Sequence, residues 1–303
     1  MSKNAKLIAD IMKIKKERKA VLLVHNYQLP ELQDIADLTG DSLGLSLEAA
    51  KTGAETIVFC GVKFMAETAS IICPEKKVLL PDITSGCPMA DMITAAQLLE
   101  LKKKHPGAAV VAYVNSSAEV KAESDYCCTS ANSAEIVNSV TEEKIIFIPD
   151  KYLGAYTARM TGRELILWEG YCPTHAKIMP QDILKRRKEY PLGKVMAHPE
   201  CTQEVCELAD IVCSTEGFVR FAGKTEAKDI IVATEAGMLH RLKKEAPGKN
   251  FIPASELAVC PNMKKNTLEK VLWALEEMKY EIKVPEGVRV KALRAINRML
   301  GKK

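Results

Sequence analysis

An internal repeat constrains the fold of this chain more than any other feature of its sequence. Cys-Pro steps with similar surroundings occur at Cys87, Cys172 and Cys260, at intervals of 85 and 88 residues. The composition predicts roughly 0.5 Cys-Pro steps by chance, yet four occur, and the fourth, at Cys73, is out of register with the others. The chain is therefore predicted to contain three copies of one structural unit.

Other residue types keep the same register as the three cysteines. Each copy begins with an apolar run that ends in a pair of polar or aromatic residues: His25 and Tyr27, Tyr113 and Asn115, His198 and Glu200. A hydroxyl residue follows the first member of each pair by 17 positions: Ser42, Ser130 and Thr215. An acid precedes each hydroxyl residue by five positions: Asp37, Asp125 and Asp210. Agreement among several markers makes a chance alignment of apolar runs improbable.

Short apolar runs alternate with helical patterns within each copy, which is typical of a parallel sheet covered by helices. We predict an α/β protein of three homologous α/β/α sandwich domains, each with a short parallel sheet, around a pseudo-threefold axis. The expected units are residues 1–89, 90–175 and 176–263. Two helical patterns in residues 264–303 have no evident counterpart in the repeat, and we expect both to pack on the first unit.

The repeat also predicts where the marked residues lie. In open parallel sheets, ligands bind outside the carboxyl ends of the strands. The paired residues follow the first strand of each unit, the hydroxyls follow the second strand, and the cysteines follow the fourth. If the three units turn these edges toward one axis, the cysteines and the polar residues converge on a single cavity.

Converging cysteines favour a metal site over disulfides, because the sequence indicates a reducing compartment. Soft thiolates without accompanying histidines favour an iron–sulfur cluster or zinc. Structural zinc usually takes four protein ligands, often in Cys-x2-Cys pairs, and no such pair occurs here. Three cysteines on a 4Fe-4S cluster would leave one iron free to act as a Lewis acid. The simpler alternative is that these cysteines are buried in tight turns.

The remaining edge residues suggest a small anionic substrate. Helix N-termini near Ser42, Ser130 and Thr215 could bind anions, although such hydroxyls are also ordinary helix caps. His25 and His198 are expected to transfer protons near neutral pH, and Glu200 is a candidate acid or base. The hydroxyls of Tyr27 and Tyr113 are candidate hydrogen-bond donors. The remaining polar residues are weaker candidates: His175, Glu235, His240, Lys63 and Lys151.

Composition excludes several classes of protein. The 43 basic and 39 acidic residues nearly balance, and no basic run is interleaved with aromatics, so nucleic-acid binding is not expected. No apolar run reaches the roughly 20 residues of a membrane span. The Lys-rich amino-terminal segment lacks the apolar core of a signal peptide. A cytoplasmic location without membrane association is therefore expected.

At this point the sequence closely resembles the quinolinate synthase family of de novo NAD biosynthesis. The resemblance covers nearly the whole chain and depends on the segments HNYQ at 25–28, GDSLGLS at 40–46, SGCPMAD at 85–91, AYVNS at 112–116, TSAN at 129–132, GYCPTH at 170–175, HPEC at 198–201, STEG at 214–217 and CPNMKKNTL at 260–268. Some relatives carry a further cysteine pair near the third ligand, proposed as a disulfide switch. Here Cys260 is the only cysteine after Cys213, so we expect that switch to be absent.

The resemblance implies condensation of iminoaspartate with dihydroxyacetone phosphate, releasing phosphate and water. It implies one 4Fe-4S cluster held by Cys87, Cys172 and Cys260. Catalytic roles are implied for His25, Tyr27, Tyr113, His198 and Glu200. Substrate binding is implied for His25, Ser42, Tyr113, Val114, Asn115, Ser130, His198, Pro199, Glu200 and Thr215. Transient contact with an L-aspartate oxidase or dehydrogenase is also expected.

Two other functions compete with this interpretation. A different hydro-lyase could use the same open-iron chemistry on another small anion. A non-enzymatic cluster-binding sensor would need no ring of polar residues, yet such residues recur in all three units. Activity toward iminoaspartate and dihydroxyacetone phosphate separates the first alternative from the family function.

Overall fold

The computed structural model describes residues 3–301 and contains three four-stranded parallel sheets. The strands of the first unit are β1 (Ala20–His25), β2 (Leu38–Gly40), β3 (Thr56–Cys60) and β4 (Lys77–Leu79). Those of the second are β5 (Ala109–Tyr113), β6 (Tyr126–Cys128), β7 (Ile145–Ile148) and β8 (Leu165–Leu167). Those of the third are β9 (Lys194–Ala197), β10 (Ile211–Val212), β11 (Asp229–Ala233) and β12 (Asn250–Pro253).

Helices alternate with these strands, as the sequence pattern predicts. They are α1 (Lys3–Glu17), α2 (Pro30–Asp34), α3 (Ser42–Lys51), α4 (Lys63–Ile72), α5 (Ala95–Lys104), α6 (Ala118–Ala122), α7 (Ser133–Ser139), α8 (Lys151–Thr161), α9 (Pro180–Glu189), α10 (Gln203–Glu207), α11 (Thr215–Lys224), α12 (Met238–Glu245), α13 (Leu268–Glu277) and α14 (Glu286–Met299). The predicted α/β class is confirmed. Within the described residues, no helix combines the length and apolar character needed to cross a bilayer.

The three sheets share one topology. Their strand orders are β2-β1-β3-β4, β6-β5-β7-β8 and β10-β9-β11-β12. Strands such as β3 and β7 are uninterrupted runs of buried residues, which is typical of parallel strands covered on both faces. One face of every sheet contributes to a hydrophobic cluster common to all three units, whereas the outer faces form three separate clusters.

The repeated aspartates join the first two strands of each unit. The carboxylate of Asp37 accepts a hydrogen bond from the Leu22 amide at 2.7 Å. Asp125 and Asp210 each accept at 2.8 Å from the residue 15 positions earlier, Val110 and Val195. Each aspartate amide also donates to the carbonyl of the same partner. These acids therefore fix strand register and lie away from the site.

Each Cys-Pro step leads into the same local structure. The carbonyls of Cys87, Cys172 and Cys260 accept from the amide four residues later, at 3.2, 3.0 and 3.3 Å. Short 3₁₀ helices follow at Ala90–Met92, His175–Lys177 and Met263–Lys265. Helices α5, α9 and α13 then each begin eight residues after the cysteine.

The carboxyl-terminal helices differ in part from the prediction. Helix α13 packs on α1 and β3 of the first unit, as expected. It nevertheless has counterparts in the repeat, because α5, α9 and α13 each follow a Cys-Pro step and cover the outer face of one sheet. Helix α5 covers the second unit, α9 covers the third, and α13 covers the first. The expectation for α14 is wrong in the main, because this helix packs chiefly on α6 and β6 of the second unit and makes a smaller contact with α4 of the first. Arg298 fixes this position by donating to the Asp125 carbonyl at 2.7 Å.

Candidate active site

The carboxyl edges of the three sheets surround one cavity. Its wall contains twelve residues that the repeat places at strand ends: His25, Tyr27, Ser42, Cys87, Tyr113, Asn115, Ser130, Cys172, His198, Glu200, Thr215 and Cys260. Val114 and Pro199 do not line the cavity. The Val114 amide instead bonds to the Cys128 carbonyl at 2.9 Å, so this residue belongs to the sheet edge behind the wall.

The three cysteines are not gathered closely enough to bind one zinc ion together. Four sulfurs around one zinc, at Zn–S distances of about 2.3 Å, lie about 3.8 Å apart. Within residues 3–301, Cys87, Cys172 and Cys260 do not form a set whose sulfurs all lie within 4.8 Å of one another. Their donor chemistry is compatible with a polynuclear cluster held between the three units.

The two histidines of the repeat have the same hydrogen-bond geometry. The Nδ1 atom of His25 accepts from the Tyr27 amide at 3.2 Å, and that of His198 accepts from the Glu200 amide at 3.4 Å. A neutral imidazole that accepts at Nδ1 carries its proton at Nε2. Both side chains therefore have Nε2–H as their remaining donor, and that of His198 lies 3.2 Å from Ser130 Oγ.

Burial keeps both imidazoles neutral. Desolvation lowers the pKa of His25 and of His198 to about 3, although the nearby Glu200 carboxylate opposes this shift. In this structure both side chains are therefore neutral at neutral pH. They are better suited to donate hydrogen bonds to a negatively charged oxygen than to act as imidazolium acids.

Glu200 lies at the centre of a buried hydrogen-bond network. Tyr113 donates its hydroxyl to Oε1 at 2.5 Å, and His175 Nδ1 lies 2.8 Å from Oε2. Burial alone would raise the pKa of this carboxyl, but His175, His198 and the two hydrogen bonds outweigh it and lower the pKa. Glu200 is therefore an ionised carboxylate at neutral pH.

His175 is a site residue that the repeat did not identify. It is 1% exposed, and its Nδ1 lies 3.2 Å from Cys172 Sγ while Nε2 lies 2.8 Å from Thr234 Oγ1. Its ring stacks on that of His198 with centroids 4.8 Å apart. The sequence signal was only its proximity to Cys172, because the equivalent positions hold Ala90 and Met263.

Glu235 is a second cavity-lining residue whose type does not recur at the equivalent positions of the other units. This fully buried carboxylate accepts from the Cys260 amide at 3.0 Å and from the Gly237 amide at 2.7 Å. It pairs with Lys264 at 3.0 Å, whose ammonium group also donates to the Tyr27 carbonyl. Glu235 thus connects the third cysteine turn to the first unit.

The three hydroxyls line the cavity and do not cap helices through their side chains. In the first unit, Asp41 accepts from the Gly44 amide at 2.7 Å. In the third, Ser214 accepts from the Gly217 amide at 3.3 Å. Because neighbouring residues cap these helices, the hydroxyls of Ser42 and Thr215 remain available to a ligand. The equivalent Ser130 precedes the helix cap Asn132.

One further group has no partner among residues 3–301. Within that range the buried Oδ1 atom of Asn115 accepts no hydrogen bond, yet Asn115 lines the cavity. A buried acceptor of this kind costs free energy unless a ligand or water satisfies it. By contrast, Lys63, Lys151 and His240 pair with Glu67, Glu169 and Asp34 outside the cavity wall.

The fold and this cavity define an enzyme class built from three α/β units around one thiol-lined site. The chain belongs to the quinolinate synthetase A protein family, whose model matches residues 9–301. It is 57% identical to quinolinate synthase of Dehalococcoides mccartyi strain CBDB1 over 96% of each chain. It is 55% identical to that of Geobacter sp. strain M21 over 97% of each, and 53% identical to that of Methanosarcina barkeri over 99% of this chain and 98% of the other.

A solved structure adds little to these relatives. The E-1-hydroxy-2-methyl-but-2-enyl-4-diphosphate reductase of Plasmodium falciparum covers 91% of this chain and 94% of its own, with 10% identity and a TM-score of 0.36. A similarity this low supports no argument about fold or function. The family assignment rests on the sequence relatives alone.

Proposed function

We propose that this enzyme forms quinolinate from iminoaspartate and dihydroxyacetone phosphate, with release of phosphate and water. The observation that carries the proposal is the convergence of three repeat-equivalent cysteines with an ionised carboxylate and two neutral histidines on one cavity. Family membership supports the identity of the product. Condensation and elimination of water need proton transfer and charge stabilisation, which these groups can supply.

One 4Fe-4S cluster is the proposed cofactor, with Cys87, Cys172 and Cys260 as its ligands. When bound, it would supply a Lewis acid through the iron that has no cysteine. Burial raises the pKa of the Cys87 thiol to about 12, so this thiol keeps its proton at neutral pH until a metal displaces it. Loading of the site should therefore release protons.

The chain's own residues have distinct proposed roles. His25 and His198 would donate Nε2–H to carboxylate or phosphate oxygens, together with the hydroxyls of Ser42 and Thr215. Glu200 would accept a proton from the substrate, and Tyr113, which donates to Glu200 at 2.5 Å, would hold this carboxylate in position. Asn115 Oδ1 would accept from a hydroxyl or amine of the ligand.

A second candidate is a site for a single metal ion. Atoms of Cys172, His175 and Glu200 lie within 4.8 Å of one another, which is compatible with zinc ligation. This arrangement would leave Cys87 and Cys260 without a role and would withdraw Glu200 from proton transfer. Another hydro-lyase and a cluster-binding sensor are the remaining alternatives.

The cellular context completes the proposal. We place the enzyme in the cytoplasm and expect no binding to nucleic acid or membranes. An L-aspartate oxidase or dehydrogenase would supply iminoaspartate through transient contact. Because iminoaspartate is an imine that water hydrolyses, direct supply would limit its loss.

The test is anaerobic incubation of the purified enzyme with iminoaspartate and dihydroxyacetone phosphate. We expect quinolinate and inorganic phosphate in equal amounts. A product other than quinolinate would favour another hydro-lyase. No turnover by an enzyme with a fully loaded cluster would favour the sensor.

A further inference from the structure

Asn26 is a fully buried residue of the HNYQ segment that the proposed chemistry does not use. It lies between His25 and Tyr27, which both line the cavity, but it is absent from the cavity wall itself. Its side chain points instead across the boundary between the first and third units. There it contacts Thr215 and Arg241.

The orientation of the Asn26 amide is fixed by Arg241. Arg241 Nη1 lies 2.7 Å from Oδ1 of Asn26. A guanidinium group has donors and no acceptor, so the oxygen of the amide must face it. Arg241 is in turn held by Glu216, with Nη2 to Oε2 at 3.1 Å. The amide nitrogen of Asn26 is consequently the atom that faces Thr215.

This orientation determines what the Thr215 hydroxyl can do. Asn26 Nδ2 donates to Thr215 Oγ1 at 2.7 Å, so the hydroxyl oxygen acts there as an acceptor. Across residues 3–301 no hydrogen bond uses the hydroxyl proton of Thr215. Since Thr215 lines the cavity, its proton is left for an acceptor on a bound molecule.

A similar contact occurs at another unit boundary. His198 of the third unit accepts at Nδ1 from Glu200, so its Nε2–H donates to Ser130 Oγ of the second unit at 3.2 Å. In both cases a group that follows the first strand of one unit donates to the hydroxyl of the neighbouring unit. Both contacts run in the same direction around the ring.

We propose that Asn26 is a positioning residue that holds Thr215 as a hydrogen-bond donor to an anionic oxygen of the ligand. Arg241 and Glu216 hold the amide in the required orientation from the side away from the cavity. The ligand class follows from the Thr215 hydroxyl acting as a donor, because an ionised carboxylate or phosphate oxygen can only accept a hydrogen bond. The inference rests on the proposed function for the identity of that ligand.

The test is a double-mutant cycle on the cluster-loaded enzyme, with quinolinate and inorganic phosphate as probes in anaerobic calorimetry. Thr215→Val and Asn26→Leu are each expected to weaken binding of at least one probe about tenfold, as expected for a lost hydrogen bond to a charged group. In the Thr215→Val background, Asn26→Leu should cause no further loss. Thr215→Ser retains the hydroxyl and should recover most of the binding that Thr215→Val loses.

Additive losses would overturn the inference, because they would mean that Asn26 acts independently of the Thr215 hydroxyl. Unchanged binding in Thr215→Val would overturn it as well. If Asn26→Leu does not fold, Asn26→Asp replaces it: the carboxylate still accepts from Arg241 but also accepts the Thr215 proton. Binding like the unmodified enzyme in Asn26→Asp would then contradict the proposal.

Turnover and binding separate this inference from the proposed function. An enzyme that forms quinolinate but shows no coupling between Asn26 and Thr215 contradicts only the inference. An enzyme that forms no quinolinate yet shows the coupling with phosphate contradicts only the reaction. The thermal midpoint of each variant, measured alongside, distinguishes weakened binding from general loss of structure.

Discussion

Two regions of each unit show different degrees of repetition. Near the start of the second strand, Asp37, Asp125 and Asp210 make the same two contacts to the first strand, with carboxylate distances of 2.7 to 2.8 Å. At the carboxyl edge, the cysteines recur in all three units, but other equivalent positions differ between units. The second residue after the third strand, for example, is Val62, Asp150 or Glu235.

The difference separates residues that build the unit from residues that distinguish one unit from another. The aspartates satisfy the same backbone donor in every copy, so one residue type serves three times. The three edges meet at one cavity, to which each unit adds different groups beside its cysteine and its hydroxyl. Substitutions in the first region should therefore change stability, and those in the second should change binding or turnover.

The largest expected effect is on turnover, from Glu200→Gln. The amide can still accept from Tyr113 but cannot take up a substrate proton. We expect kcat, measured as quinolinate formation, to fall about a thousandfold. The iron content of the variant should change little. Glu169→Gln, at an exposed carboxylate paired with Lys151, is the control. Full activity in Glu200→Gln would remove the carboxylate from the mechanism.

The buried histidines should make stability depend on pH. Their pKa is about 3 in the folded protein and about 6.5 when unfolded, so only the unfolded chain takes up these protons between those values. Stability should therefore fall as pH decreases from about 6.5 toward 3, by about 1.4 kcal/mol per pH unit for each histidine. Urea unfolding of His25→Gln between pH 4 and 6 should show a slope smaller by that amount. An unchanged slope would contradict the neutral state of His25.

Gly237→Ala tests the boundary between the first and third units. An added Cβ would lie 2.9 Å from the Tyr27 backbone carbonyl carbon and 2.8 Å from both Glu235 Oε2 and Lys264 Nζ. We expect a loss of about 2 kcal/mol in the free energy of unfolding, because this contact cannot be relieved without moving the units apart. Gly223→Ala, which meets no atom within 4 Å, is the control and should be neutral or slightly stabilising.

The smallest effect is expected in the first region. Asp125→Ala leaves the Val110 amide without its carboxylate partner and should cost about 1 kcal/mol of stability. Quinolinate formation at saturating substrate should stay unchanged. Asp125→Asn keeps an acceptor oxygen for the Val110 amide and should therefore lose less stability than Asp125→Ala. A large loss of turnover without loss of stability would break the distinction between the two regions.

The repeat predicted the sheets and much of the cavity wall, because residues in the same register follow the same strand of each unit. Ser130 and Cys172, for example, follow the same strands as their equivalents in the other two units. It could not identify His175, since its equivalents are Ala90 and Met263, nor Glu235, whose equivalents are Val62 and Asp150. Residues that occur in only one copy carry no repeat signal. Their roles depend on how the units pack.

The sequence pattern also does not predict how the three units pack against one another. The apolar face of α14 predicts burial but does not say against what, and the helix covers α6 and β6 where the first unit was expected. The contact of Asn26 with Thr215 joins residues 189 positions apart. The protonation of His25 and His198 also follows from burial and from the amide at Nδ1, which a sequence pattern does not reveal.

The most direct test of the central claim is the iron and sulfide content of anaerobically purified enzyme and of its cysteine variants. About four irons and four sulfides per chain are expected. Cys87→Ala, Cys172→Ala and Cys260→Ala should each lose the cluster, whereas Cys73→Ala, at a buried cysteine outside the cavity wall, should retain it. Stoichiometric zinc without iron, or a cluster that survives Cys172→Ala but not Cys73→Ala, would contradict the assignment.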